Sequence, residues 1–167
     1  MLSLLLFVIT ISGIAQSIRL NYGGDSKDLI KAVEKVNQIV ASPEFYQQIE
    51  SHRQFENSNY SGTDIANEIK ALNKVIEITV STTATTIYTK STDKVLLNKD
   101  VLTASFVAQI NTILQELVDV VDWQTNANWD YSPNTTNTID RVRTAACVVG
   151  KIGENMVSET LSKTQLK

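Results

Sequence analysis

The chain has 167 residues, of which 43% are hydrophobic and 20% are charged, and its formal net charge at pH 7 is -3. This composition excludes a disordered chain and is typical of one folded globular domain. It also argues against nucleic acid as a partner, because the basic residues are scattered and no cluster could neutralise several phosphates at once.

An uncharged apolar run occupies residues 4–15. It is too short to span a bilayer and ends with small residues at Gly13 and Ala15, which is typical of a secretory signal peptide; a buried N-terminal strand is the alternative. We expect residues 1–15 to be a signal peptide and residues 16–167 to form a single domain that is secreted or periplasmic. No later stretch is apolar for long enough to be a membrane helix, so no integral membrane segment is expected in the mature chain.

The spacing of apolar residues predicts three helices in the first half of the chain. The first starts after a turn at residues 21–26 and runs to about residue 41, and the second starts where Ser42 precedes Pro43. The third opens at Thr63 and ends near Leu72. Each start combines a side chain that can cap a helix with an apolar face behind it.

The apolar period then changes from 3.6 to 2, and strands are predicted over residues 74–81, 85–90 and 94–98. A long helix over residues 106–123, a polar loop over 124–140 and a final helix over 141–162 complete the chain. This order predicts an α+β fold in which a small antiparallel sheet packs on a central long helix, with further helices on either side in sequence.

The central helix has two contrasting faces. Its sequence, FVAQINTILQELVDVVDW, places apolar residues at the spacing of one helical face, which predicts a buried side. The other side carries polar residues three or four positions apart, which form one stripe. This polar stripe is either a solvated surface or the remains of a site, and it consists of Thr112, Gln115, Glu116, Asp119 and Asp122.

The order of elements and two sequence segments resemble a known family. Residues 111–122 read NTILQELVDVVD, residues 141–150 read RVRTAACVVG, and a predicted strand ends at Asn98 before the central helix. This arrangement is similar to small secreted zincin metallopeptidases, whose active helix carries an HExxH motif. The resemblance implies a compact zincin-like domain.

The residues at the catalytic positions differ from that family. In an HExxH helix two histidines hold Zn²⁺ and the glutamate acts on the metal-bound water. The resemblance places Gln115 and Asp119 at the two histidine positions, Glu116 at the general-base position and Pro133 at the position of a ligand from the loop. A Gln amide is a poor zinc ligand and Pro133 has no ligating side chain, so neither zinc nor another cofactor is expected.

The resemblance therefore implies a metallopeptidase homologue that has lost zinc-dependent peptide hydrolysis and keeps Glu116 as a vestigial general base. We expect it to act as a binding or structural module for an extended peptide or protein segment, with Asp122, Trp129 and Tyr131 as cleft candidates. Two alternatives stay open: an active zinc hydrolase with Glu116 as base and ligands from unidentified positions, and an unrelated helical interaction domain.

The only cysteine is Cys147 and the only histidine is His52. A single cysteine excludes an intramolecular disulfide. Cys147 lies in the apolar run AACVV, which predicts a small core residue rather than a nucleophile.

Overall fold

A computed structural model describes residues 18–55, 61–81, 87–89, 93–125 and 144–165. Within these ranges the chain forms four β-strands, five α-helices and one 3₁₀ segment. In chain order they are β1 (Arg19–Tyr22), α1 (Lys27–Val40), α2 (Pro43–Glu50), α3 (Gly62–Ala71), β2 (Val75–Val80), β3 (Ile87–Thr89), β4 (Lys94–Leu97), the 3₁₀ segment (Lys99–Leu102), α4 (Phe106–Thr125) and α5 (Thr144–Gln165). The mixed α/β composition is confirmed, and the predicted signal peptide lies outside the described residues.

Serine caps fix the starts of the first three helices; the cap at Ser42 was predicted from the sequence, whereas α3 is capped by Ser61 and starts one residue before the predicted Thr63. The Ser26 and Ser42 hydroxyls each accept a hydrogen bond from the backbone N–H three residues on, at 3.3 Å. At α3, Ser61 and Asp64 form a reciprocal capping box, in which the Asp64 carboxylate accepts from the Ser61 backbone N–H at 2.7 Å. These bonds satisfy backbone donors that have no partner inside the helix.

The prediction of an antiparallel sheet is wrong for two of the three strand pairs. The four strands lie in the order β1-β2-β4-β3, and both β1–β2 and β2–β4 are parallel. Only the β3–β4 pair is antiparallel. The reasons are nonlocal: residues 21–22, expected in a turn, end the short strand β1, and the three following helices return the chain so that β2 runs parallel to it.

One face of this sheet is covered, and the other is open as far as the described residues extend. Leu20, Ile76, Ile78, Val95 and Leu97 are all at most 3% exposed and point into the core. Their neighbours along each strand point the opposite way, and Val75 there is 49% exposed. Parallel pairing is usually found in sheets covered on both faces, so this sheet is unusual in leaving one face open within the described residues.

Helix α4 lies at the centre of the helical layer. It packs most extensively against α5 and also contacts α1, α3 and β3. The predicted apolar face is buried at Ile110, Ile113, Leu114, Leu117 and Val121, whereas Phe106 is only partly buried.

Two glycines of α5 allow it to lie close to α4. A Cβ atom at Gly153 would lie 2.0 Å from Leu114 Cδ1, and one at Gly150 would lie 2.9 Å from Gln115 Cγ. The two glycines are three positions apart and so share one side of the helix. Side chains at these positions would push the helices apart, which explains why glycine occurs twice inside a long helix.

Candidate functional site on helix α4

Gln115, Glu116 and Asp119 occupy the ligand and general-base positions of the HExxH motif, and we call residues 115–119 the QExxD frame. These three residues lie on a side of α4 that is not freely solvated. Glu116 is 5% exposed, and both Gln115 and Asp119 are partly buried. A buried carboxylate needs a partner, and Glu116 and Asp119 each make a polar interaction. The interpretation of this stripe as merely a solvated surface is therefore wrong at Glu116.

Gln115 belongs to a chain of hydrogen bonds that joins α4 to α5. Its Nε2 donates to Oδ1 of Asn111, one helical turn earlier. The Asn111 Nδ2 in turn donates to Glu154 Oε2 at 3.0 Å, and Lys151 Nζ donates to Glu154 Oε1 at 2.6 Å. These bonds from Lys151 and Asn111 hold the pKa of the Glu154 carboxyl below its usual value. We call these four side chains the amide–carboxylate chain.

A second polar side chain of α4 is completely buried. Gln109 is 0% exposed, and its Nε2 donates to the Val101 carbonyl oxygen at 2.8 Å. Its Oε1 has no hydrogen-bond partner in the described part of the chain. This bond ties the start of α4 to the 3₁₀ segment that follows β4, and so fixes how the helix leaves the sheet.

The residues at the zinc-ligand positions do not fit a zinc ion. The Gln115 amide nitrogen is a donor in the amide–carboxylate chain, and an amide is a poor ligand in any case. Among the residues that the structure describes, no three His, Cys, Asp or Glu side chains converge on one point. His52 lies in the connection between α2 and α3, where its ring stacks on Phe55 at 5.7 Å.

Several predicted site residues lie outside the described part of the chain. These are Trp129, Tyr131 and Pro133, together with the side chain of Asp122, whose backbone belongs to α4. Their proposed roles stay predictions.

The prediction that Cys147 is a core residue is wrong. Cys147 is exposed on α5. The run AACVV is apolar throughout, so it does not indicate which side of the helix is buried. Packing decides this: Ala145, Ala146 and Val149 are buried, and Cys147 lies on the other side.

The difference between the two edges of the sheet was not predicted from the sequence. At the β1 edge, Asn37 of α1 makes two hydrogen bonds to the backbone of Leu20, one to its N–H and one to its carbonyl oxygen. Asn37, a polar residue within the apolar face of α1, was the only signal in the sequence, and it did not indicate which residue Asn37 would bond to. We call this pair of bonds the Asn37 clamp.

At the β3 edge, the backbone N–H and carbonyl of the middle residue, Tyr88, face away from the sheet. Backbone hydrogen bonds from Glu77 N to Asp93 O and from Ser81 N to Leu97 O show that alternate residues along β4 direct their N–H and carbonyl groups toward β2. Val95 shares their direction, so its direct partner Tyr88 turns its backbone N–H and carbonyl away from β4. Strand β3 is also a strand that α4 contacts, so this edge lies beside the helix that carries Glu116.

No protein-family model matches this sequence, and neither a curated protein nor a solved structure matches it. The resemblance to zincins therefore rests on the sequence and order of elements over about residues 76–156, and more loosely on the N-terminal helices. None of the helices in the described ranges has the length and apolarity that a membrane-crossing segment requires.

Proposed function

We propose that this protein is a zincin-like domain that has lost metal-dependent peptide hydrolysis and binds an extended polypeptide segment. The segment lies along the β3 edge, on the strand that helix α4 contacts. In this proposal residues 1–15 direct export, and the mature domain works as a secreted or periplasmic binding module.

The observation that carries the proposal is the state of the QExxD frame. Glu116 keeps the buried central position of a general base, while the neighbouring Gln115 is used as a link to α5. A hydrolase would need both flanking positions for metal ligands. Loss of the ligands with retention of the buried glutamate favours a binding role over the alternative of an active hydrolase.

The β3 edge supports an extended segment as the ligand. An edge strand offers unpaired backbone donors and acceptors to any strand that approaches it. Such strand addition takes its affinity from backbone hydrogen bonds and its specificity from neighbouring side chains. Tyr88 supplies the outward-facing N–H and carbonyl, and α4 is a helix that contacts this strand.

Metal analysis tests the loss of hydrolysis. We expect the purified mature protein, after incubation with equimolar Zn²⁺ and desalting, to retain far less than one zinc per chain. We also expect it to leave unstructured casein uncleaved. Stoichiometric zinc together with cleavage that Glu116→Gln abolishes would overturn the proposal in favour of the hydrolase.

Strand addition is tested with a proline at the edge. A library of extended peptides is screened for binding by fluorescence polarisation, and the best binder is measured against Tyr88→Pro and Tyr88→Ala. Proline removes the outward-facing N–H, which an edge strand tolerates, whereas alanine keeps it. We expect Tyr88→Pro to weaken binding about tenfold more than Tyr88→Ala. Equal binding by the two variants, or no binder in the library, would count against the β3 edge.

A further inference from the structure

The Asn37 clamp reproduces a β-ladder with a side chain. Asn37 Oδ1 accepts from the Leu20 N–H and Asn37 Nδ2 donates to the Leu20 carbonyl oxygen, both at 2.8 Å. A side-chain amide has the same donor and acceptor as a peptide unit. Both backbone groups of Leu20 are therefore paired as they would be with a neighbouring strand.

These two Leu20 groups point away from the rest of the sheet. Arg19 N donates to Lys74 O at 2.9 Å, so Arg19 faces the neighbouring strand β2. Because successive residues of a strand direct their backbone groups to opposite sides, Leu20 faces the outer edge. Strand β1 runs from Arg19 to Tyr22 and Leu20 is its second residue, so a strand added along the whole of β1 would have to pair with Leu20.

The position of Asn37 is fixed by the packing of α1. Val36 and Val40 are both 0% exposed, and they hold this side of the helix against the core. Asn37 itself is partly buried, so its amide cannot swing freely into solvent. The clamp is thus built into the contact between α1 and β1.

We propose that Asn37 closes the β1 edge against strand addition, so that the sheet can be extended at the β3 edge alone. A molecule with two open, different edges can pair head to tail with further copies, and such pairing does not close on itself. The clamp leaves the molecule with one open edge in its described strands. This inference does not depend on the zincin resemblance.

Three variants test the proposal. Asn37→Leu keeps the approximate volume but removes the amide, and so opens the edge. Asn37→Asp keeps an acceptor for the Leu20 N–H and places a charge at the edge, which disfavours strand pairing. Gln38→Leu adds the same apolar side chain at the neighbouring exposed position of α1, and controls for nonspecific hydrophobic association.

Sedimentation velocity over a range of concentrations measures self-association of each folded variant. We expect Asn37→Leu to associate at about tenfold lower concentration than the unaltered protein, with Asn37→Asp and Gln38→Leu unchanged. A folded Asn37→Leu variant that associates no more than the unaltered protein overturns the proposal. Equal association by Gln38→Leu also overturns it.

If Asn37→Leu does not fold, hydrogen exchange in the unaltered protein tests whether the β1 edge is closed. The outward-facing Leu20 amide is bonded to Asn37, whereas the outward-facing Tyr88 amide lies at the edge that no other described strand covers. We expect the Leu20 amide to exchange at least about tenfold more slowly than the Tyr88 amide, after correction for intrinsic rates. Equal exchange rates would show that the β1 edge is not closed.

Discussion

Two close helix contacts in this molecule are built in different ways. In the α2–α3 corner, Gly62 approaches backbone: a Cβ there would lie 1.9 Å from the Ile49 carbonyl oxygen. In the α4–α5 junction, Gly153 approaches a side chain: a Cβ there would lie 2.0 Å from Leu114 Cδ1. A backbone obstacle can be relieved only by moving a whole helix, whereas a side chain can change its rotamer.

The difference shows which part of the scaffold can adjust. The α2–α3 corner is held by backbone geometry, with the Gly62 N–H donating to the His52 carbonyl at 2.8 Å. The α4–α5 junction is held by apolar packing and the amide–carboxylate chain, and it includes the candidate site. Residues near Leu114 can therefore change at a smaller energetic cost than residues near Gly62.

The largest effect is expected at Gly62. We expect Gly62→Ala to destabilise the protein by at least about 3 kcal/mol, because the added methyl group meets two backbone carbonyls. Urea unfolding followed by circular dichroism measures the change. Thr63→Ala, at an exposed neighbouring position, is the matched control and should change stability by less than about 0.5 kcal/mol. A Gly62→Ala variant as stable as this control would show that the corner is not held by backbone contact.

The next effect is expected at Gly153, and it should be partly reversible. We expect Gly153→Ala to cost about 1–2 kcal/mol, since overpacking outweighs the better helix propensity of alanine. Combining it with Leu114→Ala removes the obstacle, so the double variant should be about 1 kcal/mol more stable than the sum of the single effects predicts. Purely additive effects would show that shortening Leu114 does not relieve the contact at Gly153, and the contrast with the α2–α3 corner would fail.

High pH should act on the connection between α1 and α2 through Tyr46. Burial raises the pKa of Tyr46 to about 12, and its hydroxyl donates to the Val40 carbonyl at 2.7 Å. The unfolded chain releases this proton near pH 10, so the stabilising contribution is complete below about pH 10 and is lost as pH rises toward 12. We expect a loss of about 1 kcal/mol between pH 9 and pH 11 that Tyr46→Phe does not show. Equal pH dependence of both proteins would contradict this role.

Low pH should act on the α4–α5 junction through Glu154, with the smallest effect. The pKa of Glu154 is lowered, so its contribution is present above its ordinary value near 4 and is lost as pH falls through the lowered value. The carboxylate is partly exposed and its ion pair is screened by solvent, so we expect only a few tenths of a kcal/mol. The measurement compares unfolding of the unaltered protein and Glu154→Gln at pH 7 and pH 3; identical pH slopes would argue against the link.

Local features of the fold could be predicted from the sequence, and nonlocal ones could not. The serine caps at residues 26 and 42 depend on neighbours within one turn, and the buried face of α4 depends on spacing alone. The cap at Ser61 is equally local, although the predicted start of that helix was Thr63. The parallel pairing of β1 with β2 depends on residues 56 positions apart in sequence, such as Asn21 and Glu77. No local pattern records such a pairing.

The same distinction applies to the candidate site. The sequence placed Gln115, Glu116 and Asp119 on one side of a helix, and this is confirmed by the burial of α4. It did not predict that Gln115 would join Asn111 and Glu154, because the α4–α5 contact brings together residues 43 positions apart. The burial of Glu116 was also not predicted, since only the packing of neighbouring elements removes a polar position from water.

The exposed position of Cys147 has a practical consequence for studying these contacts. It is the only thiol in the chain, so a maleimide fluorophore or spin label reacts at one known place without any cysteine being removed first. The label is carried by α5, within one helical turn of Gly150. Its spectrum can therefore report on the approach of the two long helices as a peptide is titrated in.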